Sequence, residues 1–551
     1  MTELSTFNFA DIWEAVVPRV ATREALVVVG GHPDGSDVRL TYAELERRAN
    51  RLANWLASQG VRAGDHVGLY LTNGNEYLEA MLAAYKLRAA PINVNYRYVE
   101  DELRYLFADA ALVGVIHDAD FAERVKAVRG DLPGLRWTLA TGGDYEQALA
   151  GQPDTGDFGP RSGDDLYVIY TGGTTGMPKG VVWRQEDAFF ACIGGGDPMR
   201  LHGPVREPAE ILERIIDGTF VYLPVAPLMH AAGQWTVLSW LFAGGTVLLL
   251  PGSLDALKVW RTVERERVNL ITVVGDAVVR PLLDAWDEHG PFDVSSLFSV
   301  GSGGAPLSPG LRERFAQALP NVMIANGFGS SETGAQGTSR STGPGGGSGS
   351  GSVVFTPMDD TTMVLDEATL RPVEPGSGQQ GRVARTGHIP LRYHNDPQKT
   401  AETFVEVDGR RWVLTGDLAT VEADGSIQLL GRGSQCINTG GEKVFPEEVE
   451  AVLKTHPAVY DVLVVGVPDE RWGQRVVAVV QPTPGASPTL EELVEHARGH
   501  LAGYKLPKSV VLVDEVLRSP AGKADYRWAR KTAEGATDAE SSPSGHPPPP
   551  G

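Results

Sequence analysis

Residues 170–182 read YTGGTTGMPKGVV, a run whose backbone and side chains suit a polyphosphate. The glycines Gly172, Gly173 and Gly176 let the backbone approach a ligand closely and turn with positive φ. Thr171, Thr174 and Thr175 add hydroxyl donors, and Lys179 adds a fixed positive charge. Backbone N–H groups and hydroxyls converging on one cavity make an anion nest. The chemistry is that of a triphosphate site. A Walker loop is excluded, because its lysine follows a glycine and Lys179 follows Pro178.

Such a loop needs a rigid strand behind it, and the apolar residues 166–170 supply one. Upstream and downstream, strand-like and helix-like runs alternate. Residues 65–71 (DHVGLYL) read as a buried strand, 76–87 as a helix and 90–94 as a strand. The same order recurs at 246–250, 257–266 and 270–274. This alternation predicts layered α/β structure with parallel sheet. After Arg432 the character changes. A helix headed by Pro446 covers 446–454, strands cover 459–467 and 475–480, a helix covers 490–501 and a strand 509–513. The expected organisation is a large α/β domain at 1–431, a small α+β domain at 432–533 and a disordered tail at 534–551, which ends in PPPPG. Residues 343–352, GPGGGSGSGS, read as a flexible internal loop.

Composition narrows the partners. The 551 residues carry a net charge of −21, which argues against nucleic acid because nothing offsets phosphate repulsion. Two cysteines, Cys192 and Cys436, make neither a disulfide framework nor a zinc site, so a reducing, cytoplasmic compartment is expected. The first residues lack the basic-then-apolar layout of a signal peptide. The longest apolar stretch, 237–250, is too short to span a bilayer and is interrupted by Gly244 and Gly245, so no integral membrane segment is expected.

The phosphate loop resembles that of the acyl-adenylate-forming (ANL) superfamily, which holds acyl-CoA synthetases, peptide-synthetase adenylation domains and luciferases. Further runs match the same family in the same order. The run 326–334, NGFGSSETG, matches its aromatic-Gly-x-Thr-Glu element, with Phe and Ser where Tyr and Thr are usual. The resemblance implies that Phe328 stacks on adenine, Ser331 lies near the α-phosphate and Glu332 is the Mg²⁺ ligand. Gly303, Gly304 and Ala305 fall in the family's glycine-rich turn beside adenine. Asp417 in TGDL matches the ribose ligand, and Arg432 the arginine of the ribose region. Gly440 and Gly441 match the hairpin that shapes the thiol tunnel, with a hinge at Ser434. Lys523 matches the lysine that neutralises charge between carboxylate and α-phosphate, and His230 the histidine at the mouth of the acyl pocket.

The resemblance implies ATP, Mg²⁺ and CoA as co-substrates and cofactor, a mobile C-terminal domain and, as in many relatives, a homodimer. The runs 436–450 and 519–528 are similar to a bacterial subgroup of acyl-CoA synthetases that act on fatty acids and bulky steroid side-chain acids. The expected reaction is activation of a carboxylic acid as acyl-AMP and transfer to CoA. The Gly/Ser/Thr-rich 335–352 stretch, with Arg340, reads as a polar, roomy substrate loop. It leaves a second expectation, an ATP-dependent diazotase that activates nitrite for transfer to an arylamine.

Overall fold

The protein is seen in a computed structural model that describes residues 4–172, 177–305, 307–343, 354–439, 442–469, 473–518 and 522–541. Gly173, Thr174, Thr175 and Gly176 of the phosphate loop, Gly440 and Gly441 of the hairpin, and the 344–352 part of the glycine run lie outside the described residues.

One mixed sheet of 14 strands, counted among the described residues, runs through the molecule. Its central strands are parallel: Glu24–Val28, Thr246–Leu249, Val221–Pro224, Leu270–Val273, Ser299–Ser302 and Met323–Ser330, in that spatial order. Thr246–Leu249 and Val221–Pro224 are buried at every position. That is why they read as unbroken apolar runs: helices cover both faces of a parallel sheet. The Ala256–Glu266 helix shows the covering logic. Asp255 caps it by accepting from the Lys258 N–H at 2.9 Å, and Val259, Trp260 and Val263 form its buried stripe. Each such side chain contributes about 1.5–3 kcal/mol of burial.

Beyond Met323–Ser330 the sheet turns antiparallel through Gly334–Thr342 and Val354–Pro357 to Ile427–Arg432 and Arg410–Val421. Most of the 335–343 stretch expected in a loop is therefore strand, hydrogen-bonded to Met323–Ser330 over its length. Ladder pairing supplies what the Ser, Thr and Gly composition concealed. A four-stranded parallel sheet (Ala90–Asn93, His66–Tyr70, Leu112–His117, Trp137–Ala140) forms a second layer. The phosphate loop joins two antiparallel strands, Leu166–Thr171 and Lys179–Arg184, so it is a hairpin connection and not a strand-to-helix turn.

Ile427–Arg432 is the last strand of the large sheet in chain order, and the one-turn Gly433–Gln435 3₁₀ helix leads to a separate sheet. That sheet holds five strands: Ile437–Thr439, Glu442–Val444, Val459–Asp469, Gly473–Pro482 and Ser509–Leu512. The helices Pro446–Leu453 and Leu490–Arg498 cover it. The C-terminal stretch departs from the sequence expectation. A helix spans Tyr526–Ser541, so residues 534–541 are not tail but helix. Ala529 and Ala533, four residues apart, are fully buried in one cluster with Leu463, Val465 and Val477. Those two contacts seed a helix that Ala and Glu prolong, a stripe too narrow to stand out in a polar composition.

Candidate active site

A cavity of about 1310 Å³ opens at the carboxyl ends of the parallel strands, between the large sheet and the C-terminal unit. Ligand crevices of α/β sheets form at this end of the strands. Gly303, Gly304 and Phe328 line it from the strand ends, and Thr171 and Gly172 from the start of the phosphate loop. His230 and the turn residues Ser331 and Glu332 line one wall, and Arg432 and Lys523 arrive from the C-terminal side. Three expected site residues do not line it. Ala305 packs against the apolar cluster around Val273 and Val300, Lys179 is paired away from the cavity, and Asp417 sits behind Arg432.

The Glu332 turn is tied from four sides. The Ser330 N–H donates to Thr333 Oγ1 at 3.0 Å. Arg385, buried, donates from Nη1 to the carbonyls of Thr333 and Ala335, each at 2.6 Å. The Trp183 indole N–H donates to the Ser331 carbonyl at 3.0 Å, and the Tyr393 hydroxyl donates to Glu332 Oε1 at 2.9 Å. Tyr393 also lies under the Lys179 ammonium, 5.8 Å from ring centre to nitrogen, while Asp396 holds that ammonium at 2.7 Å. With Oε1 taken by Tyr393, Oε2 of Glu332 is the oxygen left for a cation. Among the described residues no group of three or more His, Cys, Asp or Glu side chains could hold a metal. A single carboxylate fits Mg²⁺, which keeps its waters and takes the remaining oxygens from substrate phosphates.

Charge converges around Lys523. Burial and the nearby Arg432 pull its ammonium below the ordinary lysine range, and Glu332 and Asp417 oppose them. Burial pushes the Asp417 carboxyl up, against Arg432, whose Nε is 3.5 Å away. The two residues face each other across paired strands. Gly522 makes the approach of Lys523 possible: at φ +66° its Cβ position is 2.9 Å from the Val274 carbonyl, which no larger residue could share. His230 is neutral. Burial first, then Lys523 and Arg97, push its pKa down to about 4. Among the described residues its Nε2 is buried without a hydrogen-bond partner, a polar atom positioned to meet a ligand.

Sequence reasoning missed the residues that hold this set together. Asn93, buried, donates to the carbonyls of Tyr170 (2.8 Å) and Met229 (2.7 Å) and accepts from the Tyr170 N–H (2.7 Å). It thereby fixes the phosphate-loop strand against the residue before His230. Its signal was visible as an amide in the apolar run APINV, since a buried amide must find partners. Tyr393, Asp396 and Arg385 carried no comparable signal, because their roles rest on contacts with residues far away in sequence.

Comparison with known proteins agrees with this geometry. The AMP-binding enzyme family profile matches residues 13–389, and that of the AMP-binding enzyme C-terminal domain matches 448–523. A 3-oxocholest-4-en-26-oate–CoA ligase of Rhodococcus rhodochrous is 46% identical over 541 residues, 95% of each chain. A medium/long-chain-fatty-acid–CoA/3-oxocholest-4-en-26-oate–CoA ligase of Mycolicibacterium smegmatis is 46% identical over 544 residues, 96% of each chain. Among solved structures, the anthranilate CoA ligase AuaEII bound to anthranoyl-AMP superposes with a TM-score of 0.82 at 24% identity, covering 97% of this chain and 98% of its own. ATP-bound MatB from Rhodopseudomonas palustris does so at 0.77 and 24%, covering 95% and 99%. The chain belongs to the AMP-binding enzyme family, with the two-domain fold of the adenylate-forming enzymes. It is an AMP-forming acid–thiol ligase.

Proposed function

We propose that the protein is an acyl-CoA synthetase whose acid is a medium- or long-chain fatty acid or a bulky steroid-type acid. The observation that carries this reading is full-length similarity at 46% identity to ligases named for those acids. The cavity supports it: Trp235 and Trp240 line it, and the helix that carries them is buried along much of its length.

The acid carboxylate is a poor electrophile, so its oxygen attacks the α-phosphorus of ATP, pyrophosphate leaves and acyl-AMP remains. Like charges meet along that path, and Lys523, together with Thr171 and the backbone of Gly172, offsets them. Mg²⁺, held by Glu332 and phosphate oxygens, supplies charge neutralisation when bound. Neutral His230 presents Nε2 to the acid without adding another charge beside Lys523. Phe328 and the glycines 303 and 304 flank the base, and Arg432, backed by Asp417, the ribose. In the second half the CoA thiolate attacks the acyl carbonyl and AMP leaves. Lys523 then withdraws as the C-terminal unit turns about Gly433–Gln435, the segment expected to hinge. A cytoplasmic location and a homodimer complete the reading; no described helix is long and apolar enough to cross a membrane.

The test is AMP formation with Mg-ATP across short, long, aromatic and steroid acids, each with and without CoA, plus nitrite with an arylamine. AMP that requires both a long-chain or steroid acid and CoA, with the thioester seen by mass, supports the reading. AMP formed with nitrite and amine regardless of CoA would establish a diazotase instead.

A further inference from the structure

A second cation, Arg200, lines the cavity. The helix Ala231–Phe242 serves as a ruler. Ala231, Ala232, Trp235, Thr236, Ser239 and Trp240 all face the cavity, spanning about 14 Å at about 1.5 Å per residue. His230 stands at the near end, beside Lys523. At the far end the Ser239 hydroxyl donates to the Ile193 carbonyl at 2.9 Å, and from there the chain enters a loop whose Ile193, Gly194, Pro198 and Arg200 line the cavity.

That loop is built, not slack. Gly194, Gly195 and Gly196 all take positive φ. Asp197 is buried, and its Oδ2 accepts from the N–H groups of His202 (2.6 Å) and Gly203 (2.9 Å). Arg200 itself sits at φ 55°, a conformation arginine seldom adopts. Its backbone N–H donates to Asp197 O at 3.0 Å, and among the described residues its guanidinium has no hydrogen-bond partner. Arg200 thus holds an unfavourable backbone geometry and, exposed, lines the cavity.

The charges around Arg200 do not satisfy it. Burial and then Arg385 pull its guanidinium below the ordinary arginine range, with Arg340 adding to this and Asp359 and Asp197 opposing it. Arg385 is committed to two carbonyls, and Asp197 to two backbone N–H groups. Arg432, Glu332 and Asp417 surround Lys523, whereas Arg200 belongs to the cavity-lining loop that Ser239 anchors at the far end of the helix.

Resting on the ligase reading above, we propose that Arg200 is a specificity-determining residue that binds an oxygen acceptor, a ketone or a second carboxylate, at the end of the acid remote from the reacting carboxyl. A guanidinium offers forked donors to either group. A plain alkyl terminus would leave it unpaired beside apolar surface, which is how a polar site rejects an analogue lacking its partner.

The experiment compares acids of equal length that end in a methyl group, a ketone or a carboxylate, using kcat/KM for acid- and CoA-dependent AMP release. The wild-type protein and the variants Arg200→Met and Arg200→Lys are each read as a ratio of acceptor-bearing to plain acid, so a general loss of activity cancels. The expected wild-type ratio is about tenfold or more for one acceptor, the range of a charged hydrogen bond. It falls to near one in Arg200→Met and partly returns in Arg200→Lys. The ketone and carboxylate arms decide which acceptor is preferred. A wild-type ratio near one for both acceptors, or a ratio kept in Arg200→Met, would overturn the assignment while leaving the ligase intact. No AMP from any acid with CoA would overturn both.

Discussion

Lys454, at the end of the Pro446–Leu453 helix in the C-terminal unit, reaches 2.8 Å to Asp276, in the first turn of the Gly275–His289 helix of the large domain. Both side chains are nearly inaccessible, at 10% and 6%. The other Asp276 oxygen accepts from the Ser308 N–H at 2.7 Å. Lys454 also lies 3.5 Å from Asp461, which Arg518 grips with two bonds at 2.6 and 2.8 Å. Burial alone would raise Asp461, but Lys454 and Arg518 hold it down at about 2. Gly522, next to Lys523, packs on Val274 and Ala277 of the same large-domain helix start. One contact region therefore both latches the two units and seats Lys523 in the cavity.

Lys454→Met is expected to slow acid-dependent ATP–pyrophosphate exchange at least tenfold. Breaking a buried pair costs about 3–5 kcal/mol, part of which Asp276 recovers through Ser308. Conversion of supplied acyl-AMP to thioester should change less, because that half does not need Lys523 in place. Equal loss in both halves would mean the pair only stabilises the fold.

Removing the ammonium itself is the sharper case. Lys523→Ala should lower the exchange about a hundred- to a thousandfold, the range for losing one preorganised charge at a transition state. Thioester formation from supplied acyl-AMP should stay within about threefold, less than about 1 kcal/mol. If both rates fall together, Lys523 is not specific to the first half.

Tyr393 makes a positioning prediction. Its hydroxyl holds Glu332 Oε1, and losing it in Tyr393→Phe frees the carboxylate to rotate. The cost of one such bond, about 1 kcal/mol or somewhat more, corresponds to a five- to tenfold higher Mg²⁺ requirement. AMP formation titrated against Mg²⁺ reads this directly. An unchanged Mg²⁺ midpoint with a lower maximal rate would assign Tyr393 to packing alone.

Much of this was legible before any coordinates. The strand at 65–71, the helix at 76–87 and the strand at 90–94 became His66–Tyr70, Asn75–Lys86 and Ala90–Asn93, because burial on both faces forces apolar runs. Glu332, Lys523, His230 and Arg432, far apart in sequence, line one cavity. What stayed hidden depends on distant partners. Asp396 pairs with Lys179 across a gap of 217 positions and Arg385 reaches Thr333 across 52, neither of which leaves a local pattern. The helix beyond residue 533 was obscured for another reason: two buried alanines anchor it, and alanine is no hydrophobic flag in a polar stretch. Lys179, expected to face phosphate, instead sits in an ion pair, which nothing in its motif specified.

The junction between the large sheet and the C-terminal unit carries a pH dependence of definite sign. Glu447, on the Pro446–Leu453 helix, lies against Gly431, whose φ of +130° and missing Cβ leave room 2.4 Å from Glu447 Oε2. Among the described residues that oxygen is buried without a partner. Burial first, then Glu450 and, less, Asp417, raise the carboxyl from 4.5 to about 7. Between those values the folded protein binds a proton that the unfolded chain has released, so stability falls as pH rises and levels off above about 7. The full contribution is about 3 kcal/mol at most. Glu76, raised to about 7 by burial and Glu79, acts with the same sign inside the large domain. Asp461 has the opposite sign, but its window lies between about 2 and 3.8, outside this range. His230, pushed down to about 4, pulls the other way between about 4 and 6.5, so Glu447→Gln should make the decline of Tm with pH shallower over this window, with Glu76 and His230 then opposing each other. A Glu447→Gln slope identical to wild type would show that Glu447 is charged and solvated, and that Gly431 accommodates an ion rather than a neutral acid.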